Sequence, residues 1–232
     1  MSDIVKKQIE AYQSNFIANN NSPRGTFQNN ITTQHERFNQ LISPLLPFRA
    51  NGFSICDVGS GTGDLHQYLL DRGIAHDYKG IEIVPEMVDY SLNKYPDIEI
   101  FNVDLLSYQF DRKFDFVVLS GTFNIPGGVL EDQWKDFIFS AIKRMFELCN
   151  TGISFNALTT YSTFSASELF YLDPAEVLSY IQSHISRFCY INTAYPLYEV
   201  SYSVFKPEAI RDRFKHADFD KYFTHAGEAD IR

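Results

Sequence analysis

The chain is poor in cysteine, methionine, tryptophan and positive charge. Its 232 residues hold three Cys, three Met and one Trp. Cys56, Cys149 and Cys189 are scattered and odd in number, with no C-x-x-C and no close His/Cys cluster, so neither a disulfide framework nor a metal is expected. They read as buried thiols of a reducing cytoplasm. The N-terminus is polar and lacks the apolar core of a secretion signal. No apolar run approaches the roughly 20 residues that span a membrane, so no membrane partner is expected. Lys and Arg number 20 against 29 Asp and Glu, a formal charge of −9. Basic residues occur only as short pairs such as Lys6-Lys7 and Lys143-Arg144, which argues against a nucleic-acid partner.

What the chain does have is aromatics, 21 Phe and 14 Tyr, more than a core alone calls for. It also has one highly informative segment, Ile55-Cys56-Asp57-Val58-Gly59-Ser60-Gly61-Thr62-Gly63-Asp64-Leu65. A short apolar strand runs into glycines at every second position, and a helix follows. Glycine tolerates positive φ and lets a ligand approach the backbone, and a helix start points unpaired N–H groups at whatever lies above it. The spacing G-x-G-x-G differs from the G-x-G-x-x-G of a dinucleotide site, and Asp57 stands two places before the first glycine.

Three later segments point to the same place. In Tyr78-Lys79-Gly80-Ile81-Glu82-Ile83 a second strand ends in an acid, about twenty residues past the loop, where a carboxylate accepts ribose hydroxyls. Glu86 is a weaker candidate in the next helix, opened by Pro85. A third strand over 98–104 ends in Asp104, which either caps a turn or faces the ligand. A fourth, Val117-Val118-Leu119, is a doubly covered apolar run ending in the small pair Ser120-Gly121. Ligands of open α/β sheets sit at the carboxyl ends of strands, and Gly59, Glu82, Asp104 and Ser120 all fall on that edge.

In these motifs the chain resembles the class I S-adenosylmethionine (SAM)-dependent methyltransferases, over about residues 53–205. The resemblance implies a three-layer Rossmann-like α/β sandwich. Its sheet has seven mostly parallel strands in the order 3-2-1-4-5-7-6, with strand 7 antiparallel and an N-terminal helical lid. It implies SAM as cofactor, held by Asp57, Gly59, Ser60, Gly61, Gly63, Glu82 and Ile83. Asp104 would take the adenine amino group and the Leu105 N–H a ring nitrogen, while Ser120 and Gly121 would face the methionine half. The Asn/Asp-Pro-Pro-Tyr/Phe motif of the DNA- and glutamine-modifying members is absent, since 120–126 reads Ser-Gly-Thr-Phe-Asn-Ile-Pro. Ser22-Pro23-Arg24-Gly25, Leu169-Phe170-Tyr171-Leu172-Asp173-Pro174 and Tyr195-Pro196-Leu197-Tyr198-Glu199 are also similar to stand-alone bacterial members acting on small molecules.

The organisation expected is one domain over 1–232, with a lid over 1–50, a core over 51–206 and a charged extension over 207–232. A first helix over 3–18 shows apolar Ile4, Ile9, Tyr12 and Phe16, and 19–25 is a loop by composition. Thr33 and Glu36 form a capping box for a second helix ending near Ile42, before Pro44. A long helix covers 130–149, and Asp173, Pro174 and Glu176 open another as N-cap, first residue and box partner. The strand over 198–205 alternates Tyr198, Val200, Tyr202 and Val204 with polar residues.

Acceptor chemistry is less legible. A sulfonium methyl is already activated, so positioning can suffice and a base is optional. Arg24 and Arg37 suit a carboxylate. Phe123 lies in the loop after the fourth strand, and Tyr161, Glu168 and Tyr171 in the aromatic insertion after the fifth. His35 is the histidine best placed as a base, and Tyr161 and Tyr171 are the other catalytic candidates. The leading expectation is methyl transfer to an O or N atom of a small molecule. A non-catalytic SAM-fold binding or regulatory module and a nicotinamide oxidoreductase are the alternatives. Oligomeric state is not indicated.

Overall fold

The computed structural model of the protein describes residues 2–19, 23–27, 30–49 and 52–223. Two helices come first, α1 (Asp3–Asn19) and α2 (Ile31–Ile42). Strands and helices then alternate: β1 (Phe53–Val58), α3 (Asp64–Asp71), β2 (His76–Ile81), α4 (Pro85–Lys94) and β3 (Glu99–Phe101). They continue with β4 (Phe114–Leu119), α5 (Glu131–Leu148), β5 (Cys149–Leu158) and α6 (Pro174–His184). Last among the described residues are β6 (Cys189–Asn192), β7 (Glu199–Phe205), α7 (Pro207–Arg213) and α8 (Ala217–Asp220).

The seven strands form one sheet in the order β3-β2-β1-β4-β5-β7-β6. β1 through β5 pair in parallel, and β7 runs antiparallel to both β5 and β6. This is the expected Rossmann-like topology. The period-two alternation of strands divides the core between two faces. Cys56, Val58, Val117, Leu119, Ile153 and Phe155 pack on one face against Trp134, Ile138 and Ile142 of α5 and Val177 and Ile181 of α6. Phe53, Ile55, Phe116 and Val118 pack on the other against Phe38 and Ile42 of α2 and Leu65 and Leu69 of α3. Among the described residues no helix is long and apolar enough to cross a membrane.

Several local expectations are corrected. The buried stripe of α1 is Val5, Gln8 and Phe16, so the helix is rotated from the apolar set Ile4 and Ile9 and carries a polar residue inward. α2 starts two residues before Thr33. Its N-cap is Asn30, whose side chain accepts from the Thr33 N–H, while Glu36 accepts from Gln40 one turn on. Asn wins here because its carbonyl reaches the N3 amide, as a good N-cap does. Asp173 caps α6 as expected, but Glu176 pairs with Lys135 of α5 at 3.2 Å. β3 stops at Phe101, so Asp104 lies in a turn beyond it, its Oδ1 accepting from the Leu106 N–H. Cys149 opens β5 rather than ending α5.

β7 is buried on both faces, despite its polar alternation. Ser203 bonds Ser154, Ser201 bonds the Tyr195 hydroxyl, and Glu199 bonds Arg37 and Asn156. Internal partners make that face inward-compatible. The end of the expected tail, 224–232, and 20–22 of the expected loop fall outside the described residues.

Candidate active site

The glycine loop takes its shape from three residues with left-handed backbones. Gly59, Gly61 and Gly63 have φ of 69°, 54° and 75°. Gly59 is also sterically required, because a Cβ there would stand 2.3 Å from Thr122 Oγ1. The Gly59 and Ser60 N–H groups both donate to the Ile81 carbonyl, at 2.8 and 3.1 Å, folding the loop across the tip of β2.

Glu82 stands where β2 ends, 5% exposed. Its Oε2 accepts from the Gly61 N–H at 2.8 Å, and its Oε1 from the Ile83 and Val84 N–H groups at 2.8 and 2.9 Å. Burial pushes its pKa above the usual range, opposed by these three backbone donors. The carboxylate thus fixes the loop with three of its roughly four lone pairs and keeps one, on Oε2, for the cavity it lines. Asp57 on β1 accepts from the Tyr78 hydroxyl at 2.8 Å. Burial raises its pKa to about 7; the Tyr78 bond opposes this, and the charges of Glu82 and Asp64 add to it. Asp64 ties three elements together: its carboxylate accepts from Thr62 at 3.0 Å, Gln34 of α2 at 3.1 Å and Lys94 of α4 at 3.2 Å.

These groups wall a cavity of about 680 Å³ with its open mouth included. Asp57, residues 59–62 of the glycine loop, Glu82, Ile83, Ser120 and Gly121 form its sheet side, whereas Gly63, expected there, packs by Tyr95 and does not line it. The N-terminal helices form the roof, with Gln8 and Tyr12 from α1 and Gln34 and Phe38 from α2. α1 is pinned over the site by polar bonds: Gln8 Nε2 donates to the Ile125 carbonyl at 2.8 Å and Lys7 to the Gly128 carbonyl at 2.9 Å. Three polar wall atoms are buried without a partner among the described residues: Ser60 Oγ, Ser120 Oγ and Gln34 Oε1. Buried polar groups are almost always satisfied, so such a cluster fits a polar ligand.

Two further chambers adjoin. One, sharing Gly59, Ile83 and Thr122, is an apolar slot between Val58, Leu119 and Trp134, with Asp104 and Leu105 on its wall. It suits a flat heteroaromatic ring. Phe123 lines this slot, 1% exposed, rather than the acceptor side. The other chamber shares Thr26 and Gly121 with the main cavity and is lined by Arg37, Tyr171, Tyr198 and Glu199. Arg37 does not face it as an open anion receptor, because its Nε donates to Glu199 Oε1 at 2.7 Å, with side chains 11% and 0% exposed.

The remaining sequence candidates stand apart. Tyr161 is 76% exposed, beside Ser162 in an adjoining depression. Tyr171 reaches the second chamber, its hydroxyl accepting from the Ala166 N–H at 3.0 Å. Glu168 is exposed and bonded to Ser167, and Arg24 is exposed on the turn Pro23–Thr26. His35 packs edge-on against Tyr68 of α3, with ring centroids 5.3 Å apart, and lines none of these chambers. Sequence reasoning gave no individual role to Gln8, Gln34, Asn156 or Glu199. Gln8 had a signal, a lone polar residue in the stripe Val5, Gln8, Tyr12, Phe16. Glu199 had one too, a charge within a strand.

The family model described as a methyltransferase domain matches residues 55–147. The methyltransferase-like protein Rv1506c of Mycobacterium tuberculosis is 34% identical over 160 residues, covering 68% of this chain and 95% of that one. The N-methyltransferase NodS of Bradyrhizobium japonicum, solved with S-adenosylhomocysteine (SAH), superposes with a TM-score of 0.63 at 12% identity, over 87% of this chain and 99% of that one. Magnesium protoporphyrin IX methyltransferase of Synechocystis, also with SAH, gives 0.62 at 13% identity, over 86% and 99%.

Proposed function

This chain belongs to the class I SAM-dependent methyltransferases, and we propose that within that family it methylates an oxygen or nitrogen atom of a small-molecule acceptor. Family membership leaves the oxidoreductase and non-catalytic readings without support. SAM is its cofactor, and when bound it supplies a methyl group on a sulfonium, a leaving group that needs no further activation. The rest falls to the chain, which must hold the two reactants in line and keep water out.

The observation that carries the cofactor assignment is the Glu82 carboxylate, clamped by three backbone N–H groups at the cavity wall. We assign it the ribose hydroxyls. Asp104 and the Leu105 backbone take the base in the apolar slot. Ser60, Ser120 and Gln34 have unused polar atoms for the amino-acid end. Asp64 and Glu82, with Asp57 ionising as a cation arrives, favour a sulfonium and an ammonium over an anion in the cavity. Residues 1–50 serve as lid, 51–206 as core and 207–232 as extension of one domain.

The second chamber shares Gly121 and Thr26 with the main cavity, so we place the acceptor there. The small-molecule reading draws support from the neighbours named for a porphyrin substrate and for N-methylation. Supplying methyl-labelled SAM to the protein in a cell extract tests it. Label in the small-molecule fraction is expected. Label confined to protein or nucleic acid contradicts the proposal.

A further inference from the structure

The second chamber has a definite chemistry. Phe164 and Tyr198 stack with ring centroids 6.4 Å and planes 21° apart, and Tyr171 and Phe27 stand on the same chamber. Aromatic faces attract flat rings and ammonium groups. The chamber's charge is balanced internally, since Arg37 is matched by Glu199 at 2.7 Å. Beyond Gly121 the cavity is walled by Asp57, Asp64 and Glu82, and the whole chain carries −9. An anionic acceptor is repelled from this field, and a cationic one is drawn to it.

Proton traffic narrows the choice further. Among the described residues lining the chamber, Glu199 is the one carboxylate, and histidine and lysine are absent. Both Glu199 oxygens are committed, Oε1 to Arg37 and Oε2 to Asn156. An aliphatic hydroxyl must shed its proton as its oxygen is alkylated, and no uncommitted carboxylate, His or Lys among the described lining residues takes it. An amine needs no such group, because solvent sets its ammonium–amine equilibrium before attack and takes the remaining proton after the bond has formed.

Resting on the methyltransferase reading above, we propose that the acceptor is a ring-bearing amine, methylated on nitrogen, with its ring on the Phe164 and Tyr198 faces. The acceptor arrives as its ammonium, releases that proton to water at the chamber mouth, and its freed lone pair attacks the sulfonium methyl carbon. The carbon–sulfur bond breaks with its electron pair left on sulfur, and the new ammonium loses its proton to water at the chamber mouth.

Benzylamine, benzyl alcohol and benzoate share a ring and differ in the group presented. Each is titrated into the protein saturated with SAH, and each is then offered methyl-labelled SAM. Benzylamine is expected to bind about ten-fold tighter than benzoate and to take label on nitrogen. Tyr198→Ala and Phe164→Ala are each expected to weaken benzylamine about three- to ten-fold while leaving SAH affinity unchanged. Equal or tighter binding of benzyl alcohol or benzoate, label on oxygen, or no binding by any of the three overturns the proposal. Failure of SAH itself to bind is a separate result that overturns the underlying reading.

Discussion

Glu199 of β7 and Asn156 of β5 meet at 2.5 Å, the carboxylate Oε2 accepting from the amide Nδ2. Each has a second partner. Glu199 Oε1 holds Arg37 of α2, and Asn156 Oδ1 accepts from the Gly121 N–H at 2.8 Å. The roof helix is therefore linked through two buried side chains to the backbone that both chambers share.

Arg37→Ala leaves the buried Glu199 charge without its cation. Breaking one side of a buried pair typically costs about 3–5 kcal/mol. Chemical denaturation is expected to show a loss of that order. The double change Arg37→Leu with Glu199→Leu should cost less than the two single changes summed. A single-variant loss below about 1 kcal/mol, the size of an exposed pair, contradicts the anchoring role.

Asp57 gives a pH signature. Its folded pKa, about 7, lies above the ordinary carboxylate value because it is buried beside Glu82 and Asp64. The folded state thus holds the proton that the unfolded state has released. Stability from this group is full at low pH and is lost as pH rises from about 4 to about 7. Asp57→Asn should flatten that part of the denaturation profile. A cationic ligand favours the ionised form, so SAM binding near pH 6 should release protons, and this release should vanish in the variant. An unchanged profile in Asp57→Asn contradicts the assignment.

Gly59→Ala places a methyl group on a left-handed backbone and against Thr122. The backbone cost alone is about 1–2 kcal/mol. The variant should melt at lower temperature and bind SAH more weakly. Gly52→Ala is the control: it also has positive φ, but among the described residues no heavy atom beyond its chain neighbours lies within 4 Å of its Cβ, so it should lose stability without losing SAH affinity. Equal SAH affinity in Gly59→Ala and the wild type contradicts the close approach.

The cofactor edge was legible because it is local. Glycine spacing, an acid at a strand end and an apolar run each lie within one segment, and parallel topology brings those segments to one edge. Asn156, Glu199 and Gln34 act across long sequence separations, and nothing near them in sequence names their partners. β7 shows the limit well. Its alternation fixed which side chains share a face, yet not that the polar face would be buried under α2. Phe123 looked like an acceptor residue by its loop position. It follows the turn at Gly121, with φ of 76°, and lines the apolar slot beside Asp104 and Leu105 instead.

Calorimetric titration of SAH into the wild type and Glu82→Ala, both at the same pH, asks whether the Glu82 cavity holds the cofactor. Charged hydrogen bonds contribute about 1.5–3 kcal/mol each, about 10- to 100-fold in Kd. The wild type should bind at about micromolar Kd or tighter, and the variant should bind at least about ten-fold more weakly. No binding by the folded wild type, or equal binding by the two, would contradict the account.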